Sequence, residues 1–145
     1  MNILLVNTNV LEPPIFPVGL EYTAEFLQGL GHRVSILDMN VCADVGRAEG
    51  QHLVLVGVRN LDSGPGNTDF ELEKTRRIVE RIQVYGGDIG VAGAAVNILP
   101  EEIRSFLGVD YALASKGFGA LRQLLDRLDK GIRSPGVIRD YASYV

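Results

Sequence analysis

Side chains able to do acid, base or ligand chemistry are few in this chain and widely spaced. Its 145 residues include two histidines, His32 and His52, and one cysteine, Cys42. A single cysteine permits neither a disulfide framework nor a thiolate metal cluster, and Cys42 reads as a small buried or half-buried residue. Polar groups gather instead in loops, at Asn7-Thr8-Asn9, Ser63-Gly64-Pro65-Gly66 and Ser115-Lys116. The first of these offers amide and hydroxyl donors. The second lacks the lysine of G-x-x-x-x-G-K-[ST], and no G-x-G-x-x-G follows the first apolar run, so neither nucleotide fingerprint is present. That glycine-rich stretch reads as a turn or as cover for a ligand.

The elements that must position these groups follow from periodicity. Ile3–Val6, Val34–Leu37, Leu53–Val56 and Tyr111–Ala114 are largely apolar runs of strand length, the pattern of strands covered on both faces, and Ile89–Gly93 reads as a short glycine-containing strand. Helical spacing runs from Val18 to Leu30, with Leu20, Ala24, Leu27 and Leu30 inward and Gly31 as stop. Thr68 and Glu71 have capping-box spacing ahead of a helix that turns Leu72, Ile78, Val79 and Ile82 inward. Its Lys74, Arg76 and Arg77 read as a solvated face. Pro100 with Glu101 and Glu102 marks a third helix entry, with Ile103, Phe106 and Leu107 facing in. Phe118, Leu121, Leu124, Leu125 and Leu128 define the last helix.

Five strands alternating with helices imply one doubly wound, flavodoxin-like (Rossmann-like) α/β domain. The expected architecture is a parallel five-stranded sheet with helices on both faces, over residues 1–130. Residues 131–145, with Gly131, Pro135 and Gly136, read as a connector holding at most a short strand at Val137-Ile138. Ligands of such sheets bind beyond the carboxyl ends of the strands, here the loops Asn7–Gly19, Gly57–Thr68, Gly93–Leu99 and Ser115–Gly119. None contains histidine, and His32 and His52 both fall at the opposite edge. A phospho-accepting receiver domain needs acids where Asn7 and Gly57 stand, so that function is excluded. A flavin remains open, but the first helix starts too far beyond Asn7 to cradle a phosphate in the usual way.

Composition narrows the partners. A net charge of −4 and a pI near 5.1 argue against a general nucleic-acid binder. No apolar run approaches bilayer length and there is no signal-peptide pattern. A Met1 directly ahead of a core strand reads as a true amino terminus, with the cytoplasm as the expected location.

The run Pro17–Asn40 resembles the N-terminal cobalamin-binding domain of cobalamin-dependent radical S-adenosylmethionine enzymes. The matching positions are Asn7, Pro17-Val18-Gly19-Leu20, Tyr22, Ala24, Gly31-His32, Val34 and Leu37-Asp38, and the later stretch LPEEIRSFLGVDYALASKG is similar as well. The resemblance extends through about Leu128. It departs at Ser115-Lys116-Gly117-Phe118, where members often carry Gly-Glu-Gly-Glu, and at Ala92-Gly93, commonly Gly-Gly. It implies cobalamin held base-off with no protein histidine on cobalt. Asn7, Thr8, Asn9, Phe16, Pro17 and Gly19 would belong to a proline-stiffened lid over the corrin, and Val58, Arg59, Asn60 and Leu61 would meet its lower face. The nucleotide tail would run beside Gly93, Ala94, Ala95 and Val96, with Ser115, Lys116 and Gly117 at its far end. On that reading a leucine at position 93 would block the tail channel and leave the fold intact.

The same resemblance implies a partner domain carrying a [4Fe-4S] cluster and S-adenosylmethionine, which needs three closely spaced cysteines that this chain lacks. The chain would then be a segment ending just ahead of that domain, or a free-standing module, with no turnover alone. A flat or phosphorylated ligand such as flavin, or an interaction domain that binds no cofactor, are the alternatives.

Overall fold

The computed structural model describes residues 1–8, 18–59 and 71–140. β1 (Asn2–Asn7), β2 (Arg33–Asp38), β3 (Leu53–Gly57), β4 (Asp88–Ala92), β5 (Tyr111–Ser115) and β6 (Gly136–Asp140) form a single sheet, every pair parallel, in the order β2-β1-β3-β4-β5-β6. The continuous apolar runs resolve into two faces, because successive side chains of a strand point to opposite sides. Leu4, Val6, Val54, Val56, Val91 and Ala112 pack on one side; Ile3, Leu5, Leu53, Leu55, Tyr111 and Leu113 pack on the other.

Helices α1 (Val18–Gly29) and α5 (Gly119–Asp129) cover the second face through Ala24, Leu27, Leu121, Leu124 and Leu128. Helices α2 (Glu71–Gln83) and α4 (Pro100–Leu107) cover the first through Val79, Ile82, Ile103 and Leu107. A five-residue helix, α3 (Ala94–Ile98), lies between β4 and α4 and adds Ala95 and Val96 to that core. It occupies what the sequence reads as open loop. Val41 to Gly50 contains a single 3-10 turn at Val45–Ala48, capped by the Asp44 carboxylate on the Gly46 N–H at 3.0 Å.

Four expectations are corrected. The sheet has six strands rather than five: β6 pairs with β5 over five registers from Tyr111↔Gly136 to Ser115↔Asp140. Glycine and proline before it mask a strand whose only fully buried residue is Ile138. Cys42 is exposed, just past the end of β2. Phe106 does not point into the core; it is 39% exposed and lies beneath the Arg76 guanidinium, 5.3 Å from ring centroid to carbon. Leu30 is likewise at the surface, because α1 ends at Gly29 before it. Thr68, the expected cap of α2, lies outside the described residues. Among those residues, no helix is long and apolar enough to cross a membrane.

Ile138 is 2% exposed and packs against the α5 side of the sheet. Replacing it with alanine is expected to cost about 2–5 kcal/mol in a urea melt, the ordinary penalty for a core cavity. A loss below about 0.5 kcal/mol, within the range of neutral surface changes, would show that β6 is not part of the cooperative unit.

Candidate functional site

β1 lies between β2 and β3, so the chain leaves its end toward one neighbour and later returns on the other side. That is the switch point where crevices open in doubly wound sheets. Two polar residues hold it. Asn7, paired in register with Asp38 and Gly57, donates its side-chain amide to Asp38 Oδ1 at 3.0 Å. The same oxygen accepts the Asn40 backbone N–H at 3.0 Å and its side-chain amide at 2.9 Å. Thr8, 2% exposed, donates to the Gly57 carbonyl at 3.0 Å and accepts from the Thr75 hydroxyl at 3.2 Å. Thr8 thus ties β1 to β3 and to α2, and it does not line the cleft.

From this point a cleft of about 1270 Å³ opens between α1 and α5. That exceeds the 300–1,000 Å³ typical of small-ligand pockets. Its floor is Leu5, Leu55 and Leu113, with Gly57, Val58 and Ala92 at the strand ends; Leu20, Thr23 and Phe26 stand on the α1 wall, and Phe118, Ala120 and Leu121 on the α5 wall. Asn7, Gly19, Arg59, Gly93, Ala94, Ser115, Lys116 and Gly117 complete the lining. Four loops, from Asn7 in the first to Gly117 in the last, are therefore gathered at one rim. Ala95 and Val96 are placed elsewhere, buried beneath α3 against the opposite core. Asn9, Phe16, Pro17, Asn60 and Leu61 lie outside the described residues.

Backbone contacts shape the rim. The Val58 N–H donates to the Ala92 carbonyl at 2.8 Å, carrying the β3–β4 pairing one step past the strands. Gly93 follows with φ of 131°, and a Cβ there would stand 2.2 Å from the Val58 carbonyl oxygen. A side chain at 93 would therefore strike the chain after β3, and the expectation that leucine spares the fold is corrected. The Ser115 N–H donates to Asn97 Oδ1 at 2.9 Å, which fastens the end of β5 to α3. The Ser115 hydroxyl accepts the Gly117 N–H at 3.3 Å.

Titratable chemistry is sparse here. Arg59 and Lys116 are exposed cations of the rim, and Glu25 is the acid that lines it. The histidines sit at the far edge: His52 Nδ1 accepts the Asn2 N–H at 2.8 Å, and His32 Nδ1 is 3.0 Å from the Met1 amino group. Burial and that amino group hold the His32 pKa below its ordinary value. Among the described residues no group of three His, Cys, Asp or Glu could hold a metal ion. The arrangement can enclose a large, mostly apolar ligand, and among the described residues it offers that ligand peptide groups, the Arg59 and Lys116 cations and the Glu25 carboxylate, with no histidine in the lining.

The loops were legible in advance; the walls were not. Tyr22 and Phe26, four apart on α1, put two aromatic rings on one helical face, and that spacing was the available signal. Leu5, Leu55 and Leu113 read equally well as plain core.

No family model and no curated protein matches the chain. Its fold matches solved structures. Two are of the radical S-adenosylmethionine methyltransferase TsrM from Kitasatospora setae, one with cobalamin and a [4Fe-4S] cluster bound, the other with tryptophan substrate and an S-adenosylmethionine analogue. Both give a TM-score of 0.80 at 24% identity over 90% of this chain. The chain spans about a quarter of their length, 25% and 26%. The receiver domain of the response regulator TorR matches at TM-score 0.52 and 16% identity, over 90% of this chain and 95% of that one. These likenesses establish a flavodoxin-like parallel α/β fold.

Two glycine substitutions test the backbone geometry. Gly93→Leu is expected to lower the urea midpoint by an amount equivalent to at least about 2 kcal/mol, from a side chain forced both into positive φ and onto a carbonyl. Gly19→Ala, with nothing within 4 Å of its added Cβ, should stay within about 0.5 kcal/mol of the parent. Equal stability of the two variants would show that the close crossing at position 93 is absent.

Proposed function

We propose that this chain is a cobalamin-binding domain serving a radical S-adenosylmethionine catalytic domain. The observation that carries the reading is the cleft itself: about 1270 Å³, floored by leucines, at the switch point of the sheet, and large enough for a macrocycle that brings its own metal ligands. The likeness to the TsrM structures, one of which contains cobalamin, supports the same assignment. The residues present fit such a group: small residues at Gly57, Ala92, Gly93 and Ala94 let a large macrocycle approach the strand ends.

In this reading Val58 and Arg59 stand under the lower face of the corrin, with Asn60 and Leu61 continuing the same loop. Arg59 carries donors and no lone pair, so it can occupy that position without ligating. Leu5, Leu55 and Leu113 between α1 and α5, with Gly93, Ala94, Ser115, Lys116 and Gly117, are the lining residues that would hold the nucleotide tail. Asn7 and Gly19 would flank the corrin edge, and Asn9, Phe16 and Pro17, outside the described residues, belong to the same loop; Thr8 fixes the start of that loop through Gly57 and Thr75. When bound, cobalamin would supply a cobalt centre able to carry a methyl group or exchange electrons. The chain's own contribution is to hold that centre, exclude water from its lower face and leave the upper face to the catalytic domain, which would bring the [4Fe-4S] cluster and S-adenosylmethionine. A flavin is the second reading and draws on the same apolar groove. The donors it would need from β1 are engaged instead, Asn7 with Asp38 and Thr8 with Gly57.

Hydroxocobalamin titrated into the protein should change its visible spectrum with saturation in the micromolar range, near −8 kcal/mol, or about 1 μM. No spectral change at high-micromolar ligand overturns the reading, and quenching of riboflavin phosphate fluorescence in its place would favour the flavin. Arg59→His tests the lower face. With cobalt reduced to the paramagnetic state, the parent protein is expected to show no protein nitrogen coupling in electron spin resonance, and the histidine variant to show one. Identical spectra would remove Arg59 from the cobalt face while leaving cobalamin binding itself standing.

A further inference from the structure

Two aromatic rings meet across the groove from opposite walls. Phe26 on α1 and Phe118, the residue preceding α5, stack with centroids 4.4 Å apart and planes 11° from parallel. Both line the cleft together with Leu5, Leu55 and Leu113, which are buried. A stack that joins the two walls narrows the passage between solvent and that leucine floor. Phe118 nevertheless remains 37% exposed, so part of its surface faces the open cleft rather than the core.

Glycines flank Phe118 at 117 and 119. The absence of a Cβ at Gly119 lets the Asp140 carboxylate of β6 lie against the start of α5, and that carboxylate accepts the Gln123 side-chain amide at 3.4 Å. The Phe118 carbonyl accepts the Arg122 N–H at 2.9 Å. Its backbone is therefore held in the first turn of α5, while the ring, stacked on Phe26, can turn about its side-chain bonds without breaking a hydrogen bond of the helix.

We propose that Phe118 is the access and selectivity residue of the groove: stacked on Phe26 it closes the passage between α1 and α5, and a planar heteroaromatic ring enters by parting the pair and stacking in its place. The closed pair is favoured over the open one by roughly three- to tenfold, the worth of an aromatic stack, which is small enough for an entering ring to reverse. A saturated or anionic group offers the freed phenyl rings no equivalent contact, so the gate favours flat aromatic ligands. This rests on the cleft being the ligand site and adds to it a residue that governs entry.

Cobalamin and cobinamide make the test, since both carry the corrin and only the first carries the benzimidazole nucleotide. Stopped-flow absorbance on the parent and on Phe118→Ala should show cobalamin association accelerated roughly three- to tenfold by the substitution, from the stacking free energy removed, and cobinamide association unchanged within about twofold. Phe118→Tyr, which keeps the ring, should enter at the parental rate. Equal effects on both corrinoids, no effect on either, or a tyrosine variant as fast as the alanine one overturns the gate while leaving cobalamin binding intact. If the parent binds neither corrinoid, the functional reading fails and the gate is judged separately with anilinonaphthalene sulfonate: Phe118→Ala must bind the dye with brighter emission than the parent as the leucine floor opens. Unchanged emission overturns it. Far-ultraviolet circular dichroism confirms that each variant is folded, and Phe118→Leu replaces the alanine variant if that one is not.

Discussion

Everything at the binding edge of this domain hangs on how the end of β1 is tied to its two neighbours. Asn7 reaches sideways to Asp38 on β2, and Thr8 reaches the other way to Gly57 on β3. Both residues are almost fully buried. Buried polar groups must find partners, and each partner found inside fixes a geometry. These bonds therefore set the distance between β2 and β3 across the switch point, and with it the width at which the cleft begins. Asp38 accepts three hydrogen bonds on a single oxygen, so the turn after β2 is held by the same anchor.

The rest of the rim is built by close approach rather than by side-chain chemistry. Gly93 brings the chain after β4 against the Val58 carbonyl, and Gly119 lets the Asp140 carboxylate lie against the start of α5. Neither position admits a Cβ without moving backbone or a charged group. A site made in this way is rigid at its strand ends and shaped by absence of side chains, which suits a bulky ligand carrying its own reactive centre. Among the described residues the lining holds one carboxylate, Glu25, and no histidine or cysteine.

Much of this was legible before any coordinates. The buried strands, the four helices long enough to show a period, and the loops that meet at one edge all follow from apolar spacing and from glycine and proline. The exclusion of histidine from the site followed too, because His32 and His52 each precede a strand and so fall at its beginning. The misreadings share a cause. The short strand expected at Val137-Ile138 is β6, but its loop-like composition hid its length and its place in the sheet: β5 offered an unpaired edge, and pairing along an edge is decided by the neighbour as much as by propensity. Phe106 satisfies the helical period, but its contact is the Arg76 side chain of α2, a residue thirty positions earlier.

Sequence by itself determined the alternation of elements, the parallel two-faced sheet and the edge at which a ligand could sit, because each depends on local period and on the handedness of chain connections. Only tertiary structure decided which side of the sheet the cleft occupies, that Thr8 braces rather than lines it, that Ala95 and Val96 turn into the opposite core, and that Gly93 is required by the Val58 backbone. It alone brought Phe26 against Phe118. The physical reason is the same in each case: a strand or helix period specifies a face, but what that face meets is set by segments far away in the chain, whose approach is limited by packing and by the absence or presence of a single Cβ.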